Sequence, residues 1–356
     1  MNKCFQLIIN PARYPYYAKQ LEHLVKYIPK GTVHVSRDEG HFRELITDFI
    51  KGNDPYLLIW GGDGTANMTL NSLMKGSDKK RLKSIAVGFL RGGSGNGIQD
   101  SYEVPHNLKA QVRTYLNSME KGFTQKVDLL KVQFDGQTEY GQLFGSGIDS
   151  HVLGARNGIT RNGTDNAPRS GFIPYVIPAI RTAYREARLL AEPQYIKMSK
   201  GRFAIRGTRT NAEFPFQEYT VETRAPLIEI GVRPYYGWYY KICPDVVCND
   251  GYMDAYLFNL ASRLSVLRNL PYLWNGLYHR INKRYAKKGL PLIEHYKIKE
   301  MEFSPREERS FHIDGELFQS DEAIRLSVKN KALKFLVPES FHEKFHPIHD
   351  WDMKVK

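Results

Sequence analysis

The fold is decided by residues 56–73, YLLIWGGDGTANMTLNSL, in which a short apolar run meets three glycines and one aspartate before a helical pattern begins. The apolar run predicts a buried strand, and the residues that follow the glycines predict a helix. Glycines at such a junction let backbone N–H groups approach an anion closely, and the helix N-terminus adds partial positive charge. We expect Thr65 to cap this helix. The stretch therefore predicts a phosphate-binding loop between a strand and a helix.

Asp63 lies among these glycines, where a carboxylate would repel a phosphate group. Its presence is explained by a bound Mg²⁺ or by a role in accepting the proton of a substrate hydroxyl. The alternative is a plain β-turn, because Asp-Gly is a common turn pair.

A second glycine loop, LRGGSGNGIQDS at residues 90–101, follows the next strand-like run. In an open α/β sheet, the loops after neighbouring parallel strands meet at the carboxyl edge of the sheet, where ligands bind. Two glycine loops facing one crevice favour nucleotide binding over an isolated turn.

The chain has 356 residues, which exceeds the size at which a single hydrophobic core usually stops growing, so two domains are expected. Over residues 1–140, apolar runs alternate with helical patterns, which is typical of an α/β domain with an open, mostly parallel sheet. Over residues 141–337, strand-like segments and turn signals dominate, which indicates a β-rich, sandwich-like domain. Residues 338–356 are too few to form a domain, and we expect them to pack back on the first one.

The charge balance is basic, since 51 Lys and Arg residues exceed 38 Asp and Glu residues by 13. Such an excess favours an anionic partner: a nucleotide, a nucleic acid or an acidic membrane surface. We expect no nucleic acid, because no motif for binding it accompanies the charge. Residues 263–288 form a basic helical stretch, which indicates either contact with an anionic membrane or a solvated helix face.

The three cysteines, Cys4, Cys243 and Cys248, lack zinc-type spacing, and a reducing compartment is the simpler interpretation. The N-terminus lacks the apolar run of a signal peptide. The most apolar later stretch, GFIPYVIPAI at residues 171–180, is too short to span a bilayer. We therefore expect a cytoplasmic protein that associates peripherally with membranes, and we leave a homodimer open.

Two further Asp-Gly steps follow, CNDGYMD at residues 248–254 and HIDGELF at residues 312–318. Each is a signal for a two-residue hairpin, although a tight turn can also present carbonyl groups to a hard cation. In the second step, strand alternation would place His312, Asp314 and Glu316 on one face. That arrangement suits a catalytic or metal-binding group, and it equally suits an ordinary exposed edge.

The pair GGDGT and GGSGN, at this spacing, resembles the diacylglycerol kinase catalytic domain family, which includes bacterial diacylglycerol kinases, sphingosine kinases and ceramide kinases. IINPA at residues 8–12 resembles the family's first strand and Asn-Pro turn. The resemblance implies an ATP- and Mg²⁺-dependent enzyme with a membrane lipid as substrate and an active site in the cleft between two domains. The nucleotide contacts that it implies are Asn10, Pro11, Ser36, Gly61, Gly62, Asp63, Gly64, Thr65, Gly93, Ser94, Gly95 and Asn96.

The resemblance also implies roles for residues of the second domain. Asp250 would hold a structural Mg²⁺ together with the backbone carbonyls of Val247 and Tyr252. Asp149 matches a position near the lipid headgroup in sphingosine kinases, although it could equally be a turn residue.

The general base is implied at Asp314, as in the bacterial lipid kinases, with Glu316 orienting it or the metal. In sphingosine kinases the aspartate of GGDGT is itself assigned the base role. Asp63 is therefore a catalytic candidate as well.

Two other functions compete with a lipid kinase. NAD kinases share GGDGT and a β-rich second domain, but GGSGN and HIDGE argue against that function. A non-catalytic nucleotide- or lipid-binding regulator is suggested by RYPYY, which follows the Asn-Pro turn where the family continues with Ser-Gly and a basic residue. The retained acidic residues argue against it. We therefore expect a lipid kinase that transfers the γ-phosphoryl group of ATP to the hydroxyl of a diacylglycerol- or sphingosine-like lipid.

Overall fold

The computed structural model describes residues 4–12, 14–26, 28, 31–161, 194–205, 215–259, 263–304 and 309–345. The contacts divide the chain into two compact units, one of residues 1–127 with 331–356 and one of residues 128–330. Within the described ranges, no helix is both long enough and apolar enough to cross a bilayer.

The described helices and strands are, in chain order, β1 (Phe5–Ile9), α1 (Pro15–Lys26), β2 (Gly31–Val35), α2 (Glu39–Lys51), β3 (Tyr56–Gly61), α3 (Asp63–Gly76), α4 (Lys79–Ser84), β4 (Ala86–Arg91), α5 (Gly97–Ser101), α6 (Leu108–Lys121), β5 (Thr124–Phe134), β6 (Gln137–Gly141), β7 (Leu143–Gly147), α7 (Ile148–Arg161), β8 (Gln194–Gly201), β9 (Phe203–Ile205), β10 (Phe216–Thr223), β11 (Leu227–Gly231), β12 (Tyr235–Gly237), β13 (Tyr240–Lys241), β14 (Met253–Leu257), α8 (Arg263–Trp274), α9 (Tyr278–Ala286), β15 (Glu294–Ile298), β16 (Glu300–Ser304), β17 (Arg309–Ile313), β18 (Glu316–Ser320), β19 (Ile324–Leu336) and α10 (Glu339–Phe345).

The first unit is built on a parallel sheet with the strand order β2-β1-β3-β4-β19. All six residues of β3 are buried, as expected for a parallel strand covered on both faces. The predicted open, parallel sheet is confirmed. Because β3 and β4 are neighbours, the loops that follow them leave the same edge of the sheet side by side.

The last described residues of the chain belong to this first unit. In β19, Phe335 is the partner of Val87 on β4, and its ring lies 5.2 Å from the ring of Phe89 and 5.0 Å from that of Tyr102. The ring of Phe341 on α10 lies 5.2 Å from Tyr102 as well. Strand β19 and helix α10 therefore complete the core of the first unit. The predicted position of residues 346–356 lies outside the described residues.

The second unit is rich in antiparallel strands, as predicted. One sheet has the order β18-β17-β7-β11-β14-β15-β9, and β10, β8, β16 and the first half of β19 pair in a second sheet. Buried residues from both sheets, such as Ile230 on β11 and Phe303 on β16, form one apolar core. A further apolar cluster joins the seven-stranded sheet to α8 and α9 through residues such as Leu273 and Ile281. The seven-stranded sheet carries Glu229, Asp254 and His312, on strands β11, β14 and β17.

Candidate functional site

The two glycine loops of the first unit lie in direct contact. Gly92 N–H donates to the carbonyl of Gly61 at 3.0 Å, and a Cβ at Gly93 would collide with the Cα of Gly62. Glycine is therefore required at Gly93 by the close approach of two backbones. The predicted convergence of the loops after β3 and β4 is confirmed.

Asp63 joins these loops through its side chain. Its Oδ1 accepts a hydrogen bond of 2.7 Å from Gly97 N–H in the second loop, and a Cβ at Gly95 would collide with its Oδ2. Asn96 turns the second loop with a φ of 56°, and its side chain accepts from Gly93 N–H at 3.1 Å and donates to the Gly93 carbonyl at 2.7 Å. Asp63 therefore lies at the junction of both glycine loops, at the N-terminus of α3.

The predicted capping role of Thr65 is wrong. Helix α3 begins at Asp63, and its N-cap is Gly62, which has no side chain to cap the helix. Thr65 lies in the first helical turn, where its hydroxyl accepts a hydrogen bond of 3.0 Å from the Asn10 side-chain amide. A first turn without a side-chain cap leaves N–H groups of the kind that bind phosphate oxygens.

The other predicted nucleotide contacts of the first unit lie near this helix terminus. Asn10 N–H donates to the carbonyl of Trp60, at the end of β3, at 3.0 Å. Ser36 is buried at the end of β2, and its hydroxyl donates to the Ile9 carbonyl at 3.2 Å. Asn10, Ser36 and Thr65 thus lie at the carboxyl edge of the parallel sheet, as do the glycine loops.

In the second unit, the turn between β17 and β18 is a hairpin. Asp314 and Gly315 have positive φ angles of 52° and 89°, as a two-residue turn with an Asp-Gly sequence requires. The turn interrupts the strand alternation, so the prediction that His312, Asp314 and Glu316 share one face is wrong. His312 is buried within β17, and Glu316 is exposed.

Asp314 points inward and is densely hydrogen-bonded. Its carboxylate accepts from Gln142 N–H at 3.0 Å and from Leu143 N–H at 2.9 Å, and the guanidinium of Arg233 contacts it at 3.2 Å. The side chains of Asp314 and Arg233 are 0% and 1% exposed. These contacts bind the hairpin to the turn between β6 and β7 and to the segment that follows β11.

Asp250 belongs to a group that we name the lysine cluster, defined by Asp250, Asp254, His295 and Lys297. The ammonium of Lys297 contacts Asp250 Oδ2 at 2.9 Å and Asp254 Oδ2 at 3.0 Å, and its side chain is 6% exposed. His295 Nε2 lies 2.6 Å from Asp254 Oδ1. Although burial opposes the charged form, Lys297 and His295 lower the pKa of Asp254. Likewise, the two carboxylates outweigh burial and raise the pKa of Lys297.

The residues of the lysine cluster do not fit a Mg²⁺ at Asp250. One oxygen of this carboxylate accepts from Tyr252 N–H at 3.0 Å, and the other contacts the buried ammonium of Lys297. A divalent cation beside a buried ammonium would add like-charge repulsion at short range. The implied Mg²⁺ site of Asp250, Val247 and Tyr252 stays a prediction, and no step of the chemistry below uses it.

Asp149 belongs to a second buried group, which we name the histidine cluster and define by Asp149, Glu229 and His312. One ligand atom from each residue lies within 4.8 Å of the others. His312 Nε2 forms a short contact with Asp149 Oδ2 and lies 3.7 Å from Glu229 Oε1. Although burial opposes it, Asp149 and Glu229 raise the pKa of His312 to about 10. Burial, followed by the charge of Asp149, raises the pKa of Glu229 well above its usual range.

The sequence reasoning missed Glu229, Lys297, Asp254 and Arg233. A signal was present for Glu229, since PLIEIGV at residues 226–232 places one charged residue inside an otherwise apolar strand. Lys297 lies likewise in HYKIK at residues 295–299. A charged residue at a buried strand position requires a partner, but the sequence does not indicate which partner.

Comparisons with known proteins point to one family. Residues 8–132 match the family model "Diacylglycerol kinase catalytic domain", which confirms, for this segment, the resemblance carried by the two glycine loops. Two proteins named diacylglycerol kinase, from Mycobacterium tuberculosis strains ATCC 25618 / H37Rv and CDC 1551 / Oshkosh, are each 24% identical over 252 residues, which is 70% of this chain and 69% of theirs. A crystal structure of a diacylglycerol kinase from Bacillus anthracis str. Sterne matches with a TM-score of 0.61 and 15% identity, over 95% of this chain and 98% of that one. The structural match supports the fold.

Proposed function

We infer, from the membership of residues 8–132 in the diacylglycerol kinase catalytic domain family, that the protein is an ATP-dependent lipid kinase that phosphorylates a lipid hydroxyl. The observation that carries the proposal is the contact between the two glycine loops, with the Asp63 carboxylate bonded across them at 2.7 Å. The substrate is a diacylglycerol- or sphingosine-like lipid at a membrane surface.

Phosphoryl transfer depends on positioning of the reactants and on charge stabilisation more than on covalent catalysis. The uncapped first turn of α3 and the glycine backbones bind the phosphate oxygens of ATP and hold its γ-phosphoryl group in place. Asp63 supplies an oxygen donor of the type that suits a hard divalent cation. A Mg²⁺ bound there would neutralise charge on the phosphates during transfer.

The proton acceptor has two candidates. Asp314 is the base that the resemblance implies, but its carboxylate is fully buried and already accepts two backbone hydrogen bonds and a guanidinium contact. Asp63, in contrast, lies at a partly exposed loop junction. That Asp63 and Asp314 serve one active site in an interdomain cleft stays a prediction, which the kinetics of the two variants test.

The decisive experiment for the function is phosphoryl transfer from labelled ATP to a panel of lipids, with NAD as an acceptor control. We expect transfer to a lipid hydroxyl and none to NAD. We expect Asp63→Asn to reduce the rate at least about 10²-fold, as loss of a base or metal ligand does. The matched control is Asp78→Asn, because Asp78 also accepts a backbone N–H, that of Arg81 at 2.7 Å, but only caps α4. Activity of Asp63→Asn above about a tenth of wild type, or equal loss in both variants, would contradict the proposal.

Asp314→Asn separates the two candidate bases. If Asp314 accepts the proton, the variant should lose kcat far more than it raises the KM for ATP. A purely structural Asp314 would lower the stability of the variant, because Asn leaves the buried guanidinium of Arg233 without its counter-charge. It would leave kcat near normal in the fraction that folds, since Asn-Gly still forms the turn. Near-normal kcat would assign the base role to Asp63.

Contact with an anionic membrane is proposed for the basic surface of α9 and the residues after it. Arg280, Lys283, Lys287 and Lys288 are exposed, whereas Ile281 on the opposite face is buried in the apolar cluster. We expect salt-sensitive binding to anionic vesicles, because exposed charges are screened within about 10 Å at 0.1 M salt.

The membrane experiment uses two triple variants with the same change in net charge. Replacing Arg280, Lys283 and Lys287 by Glu should abolish vesicle binding. Replacing Lys79, Lys80 and Lys83 on α4 by Glu should leave most of it. Equal loss in both would show that only net charge matters, and equal binding to neutral and anionic vesicles would refute the proposal.

A further inference from the structure

The histidine cluster is organised around a single glycine. Gly145 on β7 is the cross-strand partner of Glu229 on β11 and of His312 on β17. In register neighbours, side chains on the same face lie close together. Because Gly145 has no side chain between them, Glu229 and His312 converge over its Cα.

Asp149 is the third member of the cluster. It lies in the first turn of α7, four residues after Gly145. A Cβ at Gly145 would collide with Asp149 Oδ2 and His312 Nε2, and it would lie 2.8 Å from Glu229 Oε1. Three potential ligand atoms from three different elements therefore converge on the position that a side chain at residue 145 would occupy.

Among the described residues, no lysine or arginine forms an ion pair with the carboxylates of the histidine cluster. Two carboxylates face one imidazole, and Glu229, which is 1% exposed, has its Oε2 buried without a hydrogen-bond partner among the described residues. A buried carboxylate oxygen without a partner is costly.

We propose that Asp149, Glu229 and His312 form a binding site for a divalent transition-metal cation of the Zn²⁺ type. One imidazole nitrogen and two carboxylate oxygens are a donor set that Zn²⁺ takes, with a fourth position for water or another ligand. The imidazole favours such a cation over Mg²⁺ or Ca²⁺, which prefer oxygen donors alone. A charge of +2 balances the two carboxylates when the imidazole is neutral, the form in which histidine binds a metal ion. The cation would join the start of α7 to strands β11 and β17.

This inference does not rest on the proposed lipid kinase activity. It concerns a site within the second unit, and its test needs neither nucleotide nor lipid. Failure of the kinase assay would leave it standing, and failure of metal binding would leave the proposed kinase standing.

The experiment measures Zn²⁺ bound to the full chain after chelator treatment, re-equilibration with Zn²⁺ and gel filtration. We expect His312→Gln and Glu229→Gln each to hold one equivalent less than wild type. The matched control is His295→Gln, which removes another buried histidine paired with a carboxylate, Asp254, and should keep the full count. Circular dichroism establishes that the variants are folded, and Co²⁺ in place of Zn²⁺ should give d–d bands of nitrogen and oxygen coordination that both cluster variants lack.

Equal Zn²⁺ counts in wild type, His312→Gln and Glu229→Gln would overturn the proposal, and so would the same loss in His295→Gln. If neither cluster variant folds, the amount of Zn²⁺ retained by the wild-type protein tests the proposal. Less than one retained equivalent of Zn²⁺ overturns the site. A full equivalent, together with the expected Co²⁺ spectrum, supports it.

Discussion

The lysine cluster and the histidine cluster are built largely on the same antiparallel sheet, and each contains two carboxylates and a buried histidine that contacts one of them closely. They differ in one group, because Lys297 brings an ammonium within 3.0 Å of both Asp250 and Asp254. Among the described residues, the histidine cluster has no such ammonium, and its Glu229 Oε2 lacks a partner. The lysine cluster thus carries its own counter-charge, whereas the histidine cluster needs protons or an external cation.

The largest effect is expected when the ammonium is removed from the lysine cluster. Lys297→Met removes the ammonium from the buried carboxylate of Asp254 and the partly buried carboxylate of Asp250, and breaking a buried pair costs about 3–5 kcal/mol. Urea denaturation should show this loss in the free energy of unfolding. The control is Lys299→Met, because Lys299 is exposed and lies 4.8 Å over the ring of Tyr252, a contact of about 1 kcal/mol or less. Similar losses in both variants would contradict the buried charge balance.

Neutralising one carboxylate in each cluster should give opposite results in metal-free protein. Asp254→Asn weakens contacts with Lys297 and His295 and should destabilise the protein by about 1.5–3 kcal/mol. Glu229→Gln keeps the size of a buried carboxyl group that lacks a lysine or arginine partner among the described residues and should be neutral or stabilising. A comparable loss in the free energy of unfolding for the two variants, measured by urea denaturation, would contradict the proposed difference between the clusters.

The space above Gly145 can be tested with a single methyl group. Gly145→Ala should destabilise the protein by about 1–3 kcal/mol, because the added Cβ collides with donor atoms of the histidine cluster and overpacks it. Gly154→Ala on α7 is the matched control, since among the described residues its Cβ would meet only Leu317 Cδ1, at an ordinary 3.8 Å. That substitution should stabilise the helix by about 0.5–1 kcal/mol. A Gly145→Ala variant more stable than wild type would show that the side chains of the histidine cluster do not pack closely against residue 145.

The smallest expected effect is a rescue by Mg²⁺. In Lys297→Met the ammonium no longer contacts Asp250, so Mg²⁺ at about ten times its Kd should raise the Tm by about 2–4 °C. Wild type without nucleotide should gain less, because the ammonium opposes the cation. Sodium chloride at matched ionic strength controls for screening. An equal gain in wild type would favour a Mg²⁺ site at Asp250 alongside Lys297.

The glycine loops were predictable because their signals are local. GGDGT and GGSGN each follow an apolar strand, and parallel topology alone brings the loops together, so Asp63 reaches Gly97 across only 34 residues. The error at Thr65 concerned the start of a helix, which sequence patterns locate only to within about two to four residues.

The two buried clusters were not predictable, because strand register creates them. Glu229 and His312 meet only because β11 and β17 both align with Gly145, and Asp149 is 163 residues away from His312 along the chain. A shift of one residue in either strand would send these side chains to the opposite face. No local sequence pattern specifies how these strands align with one another. The same holds for Asp254 and Lys297, which are cross-strand partners on β14 and β15.

Strand β19 has a practical consequence for anyone who isolates the catalytic module. The segment that matches the family model ends at residue 132, yet the first unit takes Phe335 and its neighbours from the end of the chain. A fragment that stops near residue 132 would expose β4 as a bare edge strand, with the rings of Phe89 and Tyr102 uncovered. Such edges template aggregation between chains. A fragment meant to fold alone, or to be exchanged between relatives, should therefore include residues 331–345, joined to it by a new linker.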